Sequence, residues 1–140
     1  MIPTSPHKFA RVTPPDFYIE PGADRILSLD HHTGHMEILD SIGIHWPERD
    51  VTLYMCEGTD DNLMDWLYYH FNMVDTVIVN LCSIWEFVWP MLMKTQAKIY
   101  FVVDDNQSFE MTKRSLNLTY PGQLYNSREA AVLAAASLRV

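Results

Sequence analysis

Glycine is scarce in this sequence, with five in 140 residues and neither a GxGxxG nor a GxxxxGKS/T pattern. Both phosphate-cradling loops need backbone that can approach a ligand without a Cβ in the way, so dinucleotide and P-loop chemistry are excluded. Cysteine is scarcer still. Cys56 and Cys82 are too few for a disulfide-stapled secreted scaffold and do not form a CxxC pair, so two reduced thiols are expected. Basic residues are also few, 10 Lys+Arg against 18 Asp+Glu for a formal net charge of -8. That balance disfavours nucleic-acid binding, which depends on neutralising phosphates with cations. A membrane span needs ~20 nearly unbroken apolar residues. The longest candidate here, residues 81–93, is interrupted by Glu86 and Pro90. No basic segment followed by an apolar stretch opens the sequence, so a cytoplasmic location is expected.

What the chain does have is apolar mass. It is 48% hydrophobic with 6 Phe, 4 Trp and 7 Tyr, enough to bury a core and to exclude disorder. The length suits one domain better than two. Prolines cluster in residues 1–23, where Pro3, Pro6, Pro14, Pro15 and Pro21 each fix φ and disfavour helix just before them. Phe9, Val12, Phe17, Tyr18 and Ile19 lie there too. The segment reads as an extended arm resting on something apolar, with an α/β domain over residues 24–140.

From residue 24 onward, short β-rich runs (25–29, 51–55, 76–81, 98–103 and a weaker 118–125) alternate with helical spacing. Residues 33–42 place Met36, Leu39 and Ile42 on one face. Further helices are expected over 60–74, 83–94, 108–116 and the Ala-rich 127–138, with Ser127 as its cap. Val77-Ile78-Val79 and residues 99–103 are apolar without alternation, as strands buried on both faces should be. The expectation is a single doubly wound (flavodoxin/Rossmann-like) α/β domain with a mainly parallel sheet of about five strands.

Ligands of such folds bind beyond the carboxyl ends of the strands. Four stretches fall there: Asp30-His31-His32, Cys56-Glu57-Gly58, Cys82-Ser83 and Asp104-Asp105-Asn106. This edge is acidic, which disfavours a bare phosphate ligand unless a metal accompanies it. His31, His32 and His35 are weak metal candidates, since an Asp and His after a strand can ligate a divalent ion. The Asp30-His31-His32 triplet is similar to one motif of the DHH phosphoesterases. That family needs aspartates on upstream strands, and only 29 residues precede the triplet. A magnesium-binding receiver domain needs an aspartate where Asn80-Leu81-Cys82 stands. No cofactor is implied by any motif.

The stretch from Asp75 through Thr76-Val77-Ile78-Val79-Asn80 to Ser83-Ile84-Trp85-Glu86 resembles the nucleoside 2-deoxyribosyltransferase-like group. The family pattern is an aspartate, an apolar strand, a turn, Gly-Thr-x-x-Glu opening a helix, then a Lys before the next apolar strand. Ser83-Ile84-Trp85-Glu86 stands in the Gly-Thr-x-x-Glu place, and Lys98-Ile99-Tyr100-Phe101-Val102-Val103 in the following strand. The resemblance implies that Glu86 is a nucleophile attacking the anomeric carbon of a nucleoside; Asp30 or Asp104 is then expected to position the sugar hydroxyls. Such a carboxylate can form and release a covalent glycosyl intermediate. Asp104, Asp105, Ser83 and Glu57 are the expected ligand-binding residues. The sequence departs from the family at Val88 and Pro90, which replace small residues, and at Leu29-Asp30-His31-His32, where a Tyr-x-Ala-Gly-Pro-like turn is usual.

Glu86 has a second reading. Ser83-x-x-Glu86 is a capping box, in which the Ser83 hydroxyl accepts the N–H of residue 86 and the carboxylate accepts the N–H of residue 83. The helix that follows is apolar all round, with Ile84, Phe87, Val88, Met91 and Leu92 on one stripe and Trp85, Trp89 and Met93 elsewhere. That pattern suits a subunit or partner contact. The alternative function is therefore a non-catalytic homo-oligomeric assembly protein, using the arm and the helix that carries Trp85, Trp89 and Met93.

Overall fold

The computed structural model describes residues 8–11, 24–46, 51–56, 73–80, 97–103 and 124–137. The apolar runs form strands because every side chain in them can be buried. All five residues of one run, Thr76–Asn80, are buried, as are the last four of Lys98–Val102. In chain order the elements are β1 (Lys8–Arg11), β2 (Arg25–Leu29), α1 (His32–His45), β3 (Thr52–Cys56), β4 (Thr76–Asn80), β5 (Lys98–Val102), β6 (Leu124–Tyr125) and α2 (Arg128–Ser137). The strands make one sheet in the order β1-β3-β2-β4-β5-β6, and every neighbouring pair is parallel. From β2 to β6 this is the 2-1-3-4-5 order of a doubly wound, flavodoxin-like sheet. These are the five expected strands. The sixth, β1, comes from within the proline-rich segment and pairs along β3 from Lys8–Thr52 to Arg11–Met55.

Helices α1 and α2 pack together on one face of the sheet over Ile26, Leu53, Ile78, Tyr100 and Val102. Alternate residues Leu27, Val77, Val79 and Phe101 point to the other face and are buried as well, as a two-sided α/β sheet requires. The helix pair is close because α2 presents Ala131, Val132 and Ala135 inward. Trp46 ends α1, fills the seam, and donates its indole N–H to the Val132 carbonyl at 3.3 Å. The Ser127 hydroxyl accepts the Ala130 N–H at 3.1 Å, which makes it the expected cap of α2.

The inward face of α1 meets the expected one at Ile42, which is buried, and at Leu39, which packs against the core, and differs from it at Met36. His35, Ile38, Ser41 and Ile42 are buried, whereas Met36 is 41% exposed. Counting only apolar residues displaced the face, because the true inward stripe contains Gly34, His35 and Ser41. The helices expected over 60–74, 83–94 and 108–116 lie outside the described residues. Strand β2 separates β3 from β4, so the strands preceding Cys56-Glu57 and Cys82-Ser83 are not neighbours.

The amino-terminal edge of the sheet is tied by one carboxylate. Asp24 adopts φ 59°, and Asp75 accepts the N–H of Asp24 at 3.1 Å and of Arg25 at 2.7 Å. Asp75, the first residue of the transferase-like pattern, thus fixes the start of β2 against that of β4.

Gly43 lies on the exposed side of α1 with no atom within 4 Å of where a Cβ would stand. Gly43→Ala is expected to stabilise the protein by about 0.5–1 kcal/mol, because alanine loses less backbone entropy in a helix. A raised urea midpoint at unchanged m-value would show it.

Candidate functional site

The chain leaves β2 toward β3 on one side and returns to β4 on the other, so the switch point of the sheet lies between the carboxyl ends of β2 and β4. Asp30 follows β2 and Asn80 ends β4. Their side chains meet there, with Asn80 Nδ2 donating to Asp30 Oδ1 at 3.1 Å. Both are buried, at 3% and 1% exposure.

A third buried residue completes the centre. Arg128 opens α2 with its guanidinium over Asp30, Nε donating to Oδ2 at 2.7 Å and Nη2 to Oδ1 at 3.2 Å. This fork-on-carboxylate geometry suits arginine, whose planar N–H groups match the two oxygens. The His31 backbone N–H also donates to Oδ1, at 2.7 Å. Helix α1 comes close because residue 34 is glycine; a Cβ there would overlap the Asp30 carboxylate.

Two exposed groups rim the buried centre. The Glu37 carboxylate accepts from Arg128 Nη1 at 2.7 Å, and its side chain is 56% exposed. His31 caps α1 in an extended conformation and accepts the Gly34 N–H on Nδ1 at 3.1 Å. Its ring is 52% exposed, with Nε2 at 3.2 Å from Arg128 Nη2 and 3.5 Å from Asp30 Oδ1. Because Nδ1 accepts, the neutral ring carries its proton on Nε2.

Of the residues singled out in the sequence, Asp30 and His31 come together here. His35 does not join them. It is fully buried, with Nδ1 at 2.9 Å from the Ser28 hydroxyl. The helix begins at His32, so His31 is a cap residue and the two rings do not share a helical face. Among the described residues no group of three or more His, Cys, Asp or Glu side chains is placed to hold a metal ion. The side chain of His32, and Glu57, Ser83, Glu86, Asp104 and Asp105, lie outside the described residues. Sequence reasoning missed Arg128, Asn80, Glu37 and Gly34. The available signal was Arg128, a lone cation opening an Ala-rich helix in a chain whose strand ends are acidic.

The arrangement can present an imidazole N–H and an exposed carboxylate at the mouth of the switch point, both seated on a guanidinium held by Asp30. Among the described residues no helix is long and apolar enough to cross a membrane. No protein-family model matches the chain, and comparisons with curated proteins and with solved structures found no significant match.

Proposed function

We propose that this protein is a cytoplasmic nucleoside- or nucleotide-binding domain that cleaves or transfers an N-glycosidic bond, with its ligand at the β2–β4 switch point. The observation that supports the reading best is the polar centre built there, Asp30, Asn80 and Arg128 beneath His31 and Glu37. Strand topology agrees with it: the two apolar runs of the transferase-like pattern are β4 and β5, hydrogen-bonded side by side. Glu86, a few residues past the end of β4, supplies the nucleophile. Its carboxylate oxygen bonds to the anomeric carbon as the C–N bond breaks. The departing base takes the electron pair and a proton from solvent. Water or a second base then displaces Glu86, returning its own proton to solvent and releasing the carboxylate. Ser83, Glu57, Asp104 and Asp105 contact the ligand, while Asp30 orients the groups around it.

The test is transfer of deoxyribose between a deoxynucleoside and a free base, followed by chromatography. Glu86→Gln is expected to lose at least ~100-fold in rate, since an amide is no nucleophile. It should keep the urea midpoint, since Gln also closes a capping box. Equal inertness of wild type and variant, with no nucleoside binding, removes this reading. If the chain then scatters light as a stable oligomer, the assembly function stands in its place.

A further inference from the structure

Charge at the switch-point centre is not balanced. Asp30 and Arg128 cancel one another across hydrogen bonds of 2.7 and 3.2 Å. Glu37 adds a second carboxylate, so among these three groups one cation stands against two anions. The guanidinium is committed to the protein, since Arg128 has a further interaction besides those with Asp30 and Glu37. It acts as a fastening. What it fastens at the surface is Glu37, whose side chain is 56% exposed while Oε2 is pinned at 2.7 Å to Arg128 Nη1. An ordinary surface glutamate samples several rotamers and loses that freedom when it grips a ligand. Glu37 has lost it on folding. Among the described residues its Oε1 accepts no hydrogen bond, which leaves a fixed, charged acceptor for a donor from outside. Met36, next to it in α1, is 41% exposed and offers hydrocarbon beside that acceptor. A sugar matches the pair, with hydroxyl donors set on a ring of carbon.

The geometry points to Glu37 as the residue that reads a sugar hydroxyl of the ligand, Oε1 accepting the O–H, and that rejects the same sugar once this hydroxyl carries a phosphate. A hydroxyl donates to a carboxylate in a short, charge-assisted bond. A phosphate in its place brings acceptors and a like charge. Asp30, expected from the sequence to position sugar hydroxyls, is 3% exposed and already bonded to Arg128, Asn80 and the His31 N–H. Glu37 is the carboxylate of this centre that reaches the surface. The inference rests on the ligand's proposed placement at the switch point. It narrows a nucleoside or nucleotide to a nucleoside whose sugar is unphosphorylated at the hydroxyl that is read.

The experiment is an NMR titration of the isotope-labelled full chain with deoxyadenosine, its 5′- and 3′-monophosphates, and deoxyribose. Divalent cations are left out, and the pH is set at about 8, where an ordinary histidine is neutral and a phosphate doubly charged. Wild type is expected to give saturable amide shifts over residues 33–37 with deoxyadenosine. One of the two monophosphates should bind at least ~10-fold more weakly, the scale of one hydrogen bond to a charged group. In Glu37→Gln the deoxyadenosine Kd should rise about tenfold, and that monophosphate should no longer be the weaker ligand. The Gln carbonyl can still accept from Arg128, so the urea midpoint should hold. Deoxyadenosine binding unaltered in Glu37→Gln, or both monophosphates binding wild type as tightly as the nucleoside, overturns the role of Glu37 and leaves the nucleoside reading. Deoxyribose shifting wild type but not Glu37→Gln, with no response to deoxyadenosine, keeps the hydroxyl contact and removes the nucleoside. Silence toward all four ligands removes both.

Discussion

Arg128→Met is expected to cost about 3–5 kcal/mol, the usual penalty for stranding one member of a buried ion pair. Arg128 and Asp30 have side chains only 4% and 1% exposed, joined through two nitrogens to two oxygens. Methionine fills much of the volume but leaves a carboxylate in the interior facing, among the described residues, Asn80, the His31 backbone N–H and the neutral His31 ring at 3.5 Å, with no arginine to match its charge. A domain of ordinary stability has about 5–15 kcal/mol in all, so the variant should approach global unfolding. Removing both charges should be far milder. Asp30→Asn combined with Arg128→Met is expected to regain at least ~2 kcal/mol of the loss, because the stranded charge, rather than the missing bond, dominates the single substitution. Urea unfolding of the four proteins gives the coupling energy directly. A single-variant loss below ~1 kcal/mol would mean that the pair is solvated and the centre is not dry.

Gly34→Ala should reverse the ordinary sign of its substitution. In a helix alanine outranks glycine by up to ~1 kcal/mol, and Gly43→Ala on the same helix should show that gain. At residue 34 the new methyl would fall on the Asp30 carboxylate, which is fixed by Arg128, Asn80 and the His31 N–H and has nowhere to swing. The expected result is a loss of about 2–3 kcal/mol from overpacking, read from the urea midpoint. The Gly34 N–H is also the donor to the His31 cap, so the His31 ring resonances should move in the same variant. In an Asp30→Ala background the clash disappears, and Gly34→Ala should cost little beyond Asp30→Ala itself. Equal losses in both backgrounds would place the problem elsewhere than at this contact.

The strands were legible because burial on both faces leaves a plain mark, the unalternated Val77-Ile78-Val79 and the apolar run from Ile99 to Val103. Strand β1 was not. Phe9-Ala10 is too short a run to stand out among five prolines, and its pairing with Leu53-Tyr54 depends on residues more than forty positions away. Helix α2 was legible from its alanines and Ser127. The inward face of α1 was legible at Leu39 and Ile42 but not in full, since hydrophobicity cannot point to a buried His35 or Ser41, whose burial is made possible by partners such as the Ser28 hydroxyl. The same limit hid most of the site. Asp30 and His31 announce themselves at a strand end, but Arg128 is an ordinary surface residue by composition, and only the fold brings it to Asp30. Asn80 and Gly34 carry no local signal at all; their roles are contacts made across the switch point.

Asp30 and Arg128 are 98 positions apart along the chain, and that separation governs the order of assembly. During synthesis β2, β3, β4 and β5 leave the ribosome before α2 exists. A nascent chain holding all four strands would have to sequester Asp30 without Arg128 to meet it, and would lack the wall of Ala131, Val132 and Ala135 against Trp46. Folding of this unit is therefore completed only once α2 has emerged, when that helix docks and the charge is matched. Products ending before residue 128 should be recognised by chaperones and proteases as unfinished, so that only chains carrying the guanidinium persist.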